Sequence, residues 1–272
     1  KKEICRVYHM NYAKICEIFR SLALTSGEVI MDVYNSSELE VLLKSDDSPV
    51  TIADKKADEV ISRGLKQYFP EVPIVTEEQV KSHDLSASVF FIVDPLDGTK
   101  EFIKRKGDFT VNIALVANGE PIRGIVYAPA RQRLFYTDEN GEAVEEVAYF
   151  SLSKMGLVKK IKTAFSDNTA LKIVDSKSHR DEKTDEYISK YRCKELTSAG
   201  SSLKFCLIAS GEADLYPRFG PTMEWDTAAG HAILSAAGGR VLQAEDKKPL
   251  KYGKPHYRNP FFIASSKNVK LR

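Results

Sequence analysis

The chain has 272 residues, 43% of them hydrophobic and 29% charged, and its 40 basic against 38 acidic residues leave a formal net charge of +2. That balance excludes a general nucleic-acid coat, which needs a strongly basic face, but leaves room for a small phosphorylated substrate. The length suits two sub-domains sharing an interface, and no apolar run reaches the roughly 20 residues of a membrane-spanning helix.

In chain order, the first ten residues, KKEICRVYHM, carry no apolar core of the signal-peptide kind and, opening on Lys1 rather than a methionine, read as a trimmed end. Residues 11–34 place Ile15, Ile18, Phe19, Leu22 and Val29 at mostly helical spacing, and 54–68 repeat the pattern with Ala57, Val60, Ile61 and Leu65 before Pro70. VPIVT (72–76) predicts a short strand running into Glu77-Glu78, and VFFIVD (89–94), apolar on both faces, a strand with neighbours on either side. Two strands joined at Asn118-Gly119 are expected over 110–130, and a third with its turn over 133–141. Residues 138–165 pass from an acidic run to a lysine-rich one and predict an exposed connection.

The second half alternates: a strand over 171–178, a helix over 181–191, a Ser-capped helix over 201–213, a strand over 213–217, a helix over 226–239 opening at Asp226 and stopping at Gly238-Gly239, and strands over 239–243 and 261–266. The pattern is layered α/β (α+β), an antiparallel sheet first and an α/β unit second, divided into sub-domains 1–145 and 146–272. The four cysteines, Cys5, Cys16, Cys193 and Cys206, form no CxxC pair and have no histidine at zinc-ligand spacing, so free thiols in a reducing cytosol are expected.

VDPLDGTKEF (93–102) sets Asp94 and Asp97 three residues apart at the end of an apolar strand. Like charges so placed repel, and burial adds to the cost, so a cation between them is one reading. Pro95 restricts Asp94 to extended backbone, Gly98 allows close approach to a ligand, and Thr99 can open a helical turn. Two acidic oxygens then offer Mg²⁺ its hard ligands beside a phosphate cradle. The other reading is a turn, for which D-P-x-D-G suffices anywhere. Glu77 after its strand, Asp54 ending SPVTIAD, and Asp226 in EWDTAAGHA are further acidic candidates, and Asp54 and Asp226 equally suit helix caps.

These segments, with GIVYAPA (124–130) and GSSLKFCLIASGEADLYPRFGPT (200–222), resemble the inositol monophosphatase superfamily of metal-dependent, lithium-sensitive phosphatases. FIKRKGDFTVNIAL and GSSLKFCL are most similar to its 3'(2'),5'-bisphosphate nucleotidase branch. The likeness runs over most of 12–265 and is weak over 137–168. It implies a sugar-phosphatase fold of alternating αβαβα layers with the metal loop in the first sub-domain. It further implies two or three Mg²⁺ ions held by Glu77, Asp94, the Leu96 carbonyl, Asp97 and Asp226, with Asp94 bridging two of them. Thr99 would take the proton of the attacking water and pass it towards Asp54, and Glu77 would orient that water. The substrate implied is adenosine 3',5'-bisphosphate, with 3'-phosphoadenylyl sulfate as a second one, in sulfur assimilation. Glu77, Leu96, Asp97, Gly98, Thr99 and Asp226 would face the reacting phosphate. Lys204, Arg218 and Ser201 would hold the other phosphate, and Ser178 and His179 would contact the nucleoside. An inositol or sugar phosphatase with the same metal core is the alternative. The expected location is the cytoplasm, with peripheral contact at the inner membrane face; no nucleic-acid polymer is implied, and no oligomeric state is specified.

Overall fold

A computed structural model describes residues 10–36, 41–44, 49–176 and 181–272. The long N-terminal helix forms as its spacing predicts: α1 (Tyr12–Tyr34) is capped by Asn11, whose side chain accepts from Lys14 N, and it buries Ile15, Ile18, Phe19, Leu22 and Ile30. A hairpin of β1 (Val41–Leu43) and β2 (Pro49–Thr51) leads into α2 (Ile52–Tyr68). Both helices cover one face of a seven-stranded sheet in the order β3-β4-β5-β6-β7-β8-β9. Its strands are β3 (Ile74–Thr76), β4 (Val89–Asp97), β5 (Thr110–Ala117), β6 (Glu120–Ala128), β7 (Arg133–Thr137), β8 (Ala143–Val147) and β9 (Leu157–Lys160). All pairings in it are antiparallel except β3 with β4. Between β4 and β5 lies the short helix α3 (Thr99–Ile103).

The unbroken apolar run of β4 follows from burial on both faces. Phe91 and Val93 pack under α1 and α2, while Phe90 and Ile92 belong to the core on the opposite face. Each such fully buried ring contributes on the order of 1.5–3 kcal/mol over an exposed one. The opposite face is covered by α5 (Leu203–Ala209) and α6 (Ala228–Ala236), which also pack against the second sheet through Phe205, Tyr216 and Phe262. That sheet has five strands in the order β11-β10-β12-β14-β13. They are β10 (Leu171–Ser176), β11 (Cys193–Ala199), β12 (Leu215–Arg218), β13 (Gly239–Gln243) and β14 (Phe262–Ser266). Its outer face meets α4 (Glu182–Ser189) through Tyr187 and Ile188. The layers are therefore α1/α2, sheet, α5/α6, sheet, α4, which is the expected αβαβα succession. No helix among the described residues is long and apolar enough to cross a membrane, and Cys16, Cys193 and Cys206 are free thiols.

Residues 138–165 are exposed along much of their length, as the charge run predicts, but they are not a mere connection. They contain β8 and β9, which extend the first sheet, and the 145/146 division falls inside β8. The charge run hid an inward-facing acid. Glu146, fully buried, receives Arg20 Nε at 2.8 Å, Arg20 Nη2 at 2.7 Å and Gly156 N at 2.6 Å. The helices expected over 201–213 and 226–239 are shorter, and the second begins at Ala228 rather than Asp226. β11, polar and exposed along most of its length, lacks the apolar pattern that would have marked it as a strand.

Candidate active site

The carboxylates converge at one end of the first sheet, in a cleft of about 920 Å³ lined by Glu77, Asp94, Leu96, Asp97, Gly98, Thr99, Ser201, Lys204, Arg218 and Asp226. β4 supplies Asp94 and Asp97. The ladder to β5 pairs Asp94 with Asn112 and Asp97 with Thr110, and its register shifts between Asp94 and Asp97, where Pro95 has no N–H to give. Asp94 Oδ1 accepts from Leu96 N at 3.1 Å. The chain then turns at Gly98, whose φ is +94° and whose absent Cβ would sit 2.9 Å from the Asp108 carbonyl oxygen, so both the backbone region and the space require glycine. β3 delivers Glu77 from beside β4, with Glu77 N bonded to the Val93 carbonyl. Asp226 closes a 3-10 turn (Glu224–Asp226), and its Oδ2 accepts from Met223 N at 2.8 Å.

One oxygen each from Glu77, Asp94 and Asp226 lies within 4.8 Å of the others, a spacing that a cation can bridge. Burial pushes the Asp94 and Asp226 carboxyls well above their ordinary range, and the neighbouring acids push them further: Glu77, Asp97 and Asp226 around Asp94, and Asp97 and Glu77 around Asp226. Burial likewise raises Asp97 to about 6, against the attraction of Lys204. So many acids in one pocket resist ionising together, and a divalent cation among them would remove that penalty. The donor set is all hard oxygen, which suits Mg²⁺ or Ca²⁺ rather than a thiolate metal.

Asp54 is a cap and something more. It is the third residue of α2 and closes a capping box: its Oδ2 accepts from Thr51 N and Thr51 Oγ1, both at 2.7 Å. Its other oxygen, Oδ1, accepts from Thr99 Oγ1 at 3.1 Å. Burial raises the Asp54 carboxyl, and Thr51 and Thr99 partly offset that by donating to it.

In the same cleft Lys204 is buried, with Nζ donating to the Ser201 carbonyl at 2.8 Å and lying 5.2 Å from the Tyr216 ring centre. Burial lowers its ammonium to about 8. Among the described residues, Ser201 Oγ and Arg218 Nε are buried without a hydrogen-bond partner. Two orphaned donors and a buried cation in one cleft suit an anion. Ser178 and His179 lie outside the described residues.

Sequence reasoning missed three contributors. Lys44, just past β1, reaches Glu77 at 2.7 Å and Glu78 at 2.6 Å, and no sequence spacing announces that long-range pairing. Asn112 and Ser202 hold Asp97 from behind. Both sit inside the quoted motifs TVNIAL and GSSLKF, so an amide flanked by Val111 and Ile113 was the available signal for the first.

The model of the inositol monophosphatase family matches residues 11–270. The 3'(2'),5'-bisphosphate nucleotidase CysQ of Salmonella typhimurium is 43% identical over 252 residues, covering 92% of this chain and 97% of that protein. The protein of the same name from Escherichia coli strain K12 is 43% identical over 256 residues, covering 93% and 98%. Among solved structures, the crystal structure of CysQ from Bacteroides thetaiotaomicron, described as a bacterial member of the inositol monophosphatase family, superposes with a TM-score of 0.81 at 39% identity, covering 94% of this chain and 98% of the other.

Proposed function

The chain belongs to the inositol monophosphatase family, and from that premise we propose that it is a Mg²⁺-dependent 3'(2'),5'-bisphosphate nucleotidase that removes the 3'-phosphate of adenosine 3',5'-bisphosphate, giving AMP and phosphate. The high-coverage relatives bear that activity in their names. The observation that carries the reading is the presence in one cleft of a three-carboxylate cluster together with a buried lysine and two unpartnered donors, Ser201 Oγ and Arg218 Nε. A substrate with one reacting and one non-reacting phosphate needs both.

The family brings a divalent metal cofactor. Here Glu77, Asp94, the Leu96 carbonyl, Asp97 and Asp226 would hold two or three Mg²⁺ ions. When bound, the ions neutralise the phosphoryl group and make water more acidic. The rest of the chemistry falls to the chain's own groups. Because Thr99 gives its own hydroxyl proton to Asp54 Oδ1, its oxygen keeps lone pairs for the cleft. It accepts a proton from the attacking water as its own moves to Asp54, whose raised affinity for protons favours the transfer. Glu77 orients the water. The water oxygen bonds to phosphorus, the bond from phosphorus to the 3' oxygen breaks, and the 3' oxygen takes up a proton from solvent to become the ribose hydroxyl, while Asp54 releases to solvent the proton it gained. The Gly98 and Thr99 backbone lies against the phosphoryl oxygens. Lys204, Arg218 and Ser201 seat the non-reacting phosphate. 3'-Phosphoadenylyl sulfate carries the same 3'-phosphate and is a second substrate in this proposal, with a role in sulfur assimilation in the cytoplasm.

The test is phosphate release from adenosine 3',5'-bisphosphate and from inositol 1-phosphate, with Mg²⁺ and with chelator. Preference for the bisphosphate, abolished by chelator, is expected. Preference for inositol 1-phosphate would replace the substrate with that of an inositol phosphatase on the same metal core, and release unaffected by chelator would remove the metal assignment.

A further inference from the structure

Asn112 is one of two polar residues in β5, the other being Thr110 at its first position. Its neighbours Val111, Ile113, Ala114 and Leu115 are fully buried and apolar, and Asn112 itself is only 1% exposed. A buried amide costs stability unless it is hydrogen-bonded, and packing alone would be served by valine. Each side of this amide has a partner. Oδ1 accepts from Thr110 Oγ1 at 2.9 Å, while Nδ2 donates to Asp97 Oδ2 at 3.2 Å and to Ser202 Oγ at 3.0 Å. Turning the amide over would set its carbonyl against the Asp97 carboxylate, so the network admits one orientation. Ser202, also 1% exposed, continues the chain of contacts. Its N–H donates to Asp97 Oδ2 at 2.7 Å and its hydroxyl to the Asp226 carbonyl at 2.7 Å. Both bonds to Asp97 end on Oδ2, so Oδ1 is the oxygen available to the cleft. In sequence Ser202 lies between Ser201 and Lys204, both of which line the cleft.

We propose that Asn112 and Ser202 are positioning residues: they hold the Asp97 carboxylate by one oxygen and tie it to the Asp226 segment, so that the cation-binding and phosphate-binding halves of the cleft keep a single geometry. The proposal rests on Asp97 and Asp226 being cation ligands. Groups that orient a ligating carboxylate typically contribute 10–100-fold to metal affinity. β5, α5 and the Glu224–Asp226 turn are distant in sequence, and this network is what fixes their mutual distance at the site.

The test uses the full chain with Asn112→Ala and, separately, Ser202→Ala. Mn²⁺ affinity is measured by calorimetry without substrate, melting is followed in chelator, and kcat and KM are measured on adenosine 3',5'-bisphosphate. Asn112→Ala is expected to weaken Mn²⁺ binding at least tenfold and to lower kcat, with KM changed less than about threefold. Ser202→Ala is expected to act in the same direction, and both should still melt cooperatively in chelator. A folded variant with wild-type Mn²⁺ affinity overturns the proposal. If Asn112→Ala does not fold, Asn112→Val, which keeps the packing of β5, takes its place, because Ser202→Ala retains the N–H bond to Asp97. Wild-type protein that neither binds Mn²⁺ nor releases phosphate overturns the ligand reading and this proposal with it, whereas an active wild type with unaltered variants overturns the positioning alone.

Discussion

Asp54→Asn separates two jobs that one side chain performs. The carboxylate accepts two hydrogen bonds from Thr51 on Oδ2 and one from Thr99 on Oδ1. An asparagine can keep its carbonyl oxygen towards Thr51, which preserves the capping box, but then its NH₂ faces Thr99. The Thr99 hydroxyl can no longer donate there and must accept instead. The proton route from water through Thr99 ends, while the cap survives. The stability cost is therefore that of one altered hydrogen bond, about 1 kcal/mol, offset in part because a buried charge is removed. With an unfolding entropy of roughly 2.1 cal/mol/K per residue, each kcal/mol moves the melting temperature of a chain this long by about 2 °C. The loss in turnover should be far larger, about 10²–10⁴-fold, or roughly 3–5 kcal/mol of barrier. Thr51→Val gives the mirror image, losing about 1 kcal/mol of cap stability with most of the activity kept. The assays are phosphate release at saturating Mg²⁺ and calorimetric melting in chelator. Asp54→Asn turnover within tenfold of wild type would refute the Thr99–Asp54 relay.

Arg20→Met leaves the fully buried Glu146 with little more than Gly156 N, and should cost about 3–5 kcal/mol in urea unfolding without changing kcat; the double variant Arg20→Met/Glu146→Leu should recover most of it, and a single variant losing under 1 kcal/mol would contradict a buried pair. Because burial lowers Lys204 to about 8, its ammonium is charged below that pH and neutral above it, so KM for the bisphosphate should rise several-fold between pH 8 and 9.5 while KM for a 3'-monophosphate stays level; parallel profiles would rule out a phosphate seat at Lys204. Burial lowers the His231 imidazole from 6.5 to about 3, beside the Tyr252 hydroxyl at 3.0 Å. The unfolded chain thus takes up a proton that the native state refuses, and stability that is complete above pH 6.5 is lost as pH falls towards 3, at up to about 1.4 kcal/mol per unit. His231→Gln should flatten the slope of unfolding free energy between pH 6.5 and 5, and an unchanged slope would show that His231 protonates freely in the native state.

Much of this protein follows from local pattern. The helical spacing of residues 12–34, the two-faced apolar run of β4 and the Asn118-Gly119 turn each depend on neighbours in the chain, and each appears as the pattern predicts. The candidate site residues could be named because two long, distant motifs agree, and the positive φ at Gly98 calls for glycine within the turn itself. What local pattern could not decide is pairing across the chain. β8 read as part of a solvated charge run because the Arg20–Glu146 contact that buries its acid spans 126 positions. Lys44 reaches Glu77 across 33 positions, and Ser202 reaches Asp97 across 105. Local residue types settled which groups could bind a cation or a phosphate, since charge and hydrogen-bonding capacity belong to each side chain alone. Only the packing of the two sheets around α5 and α6 decided which of those groups meet, because burial and distance, which set how a carboxylate titrates and what it can hold, are properties of the folded whole.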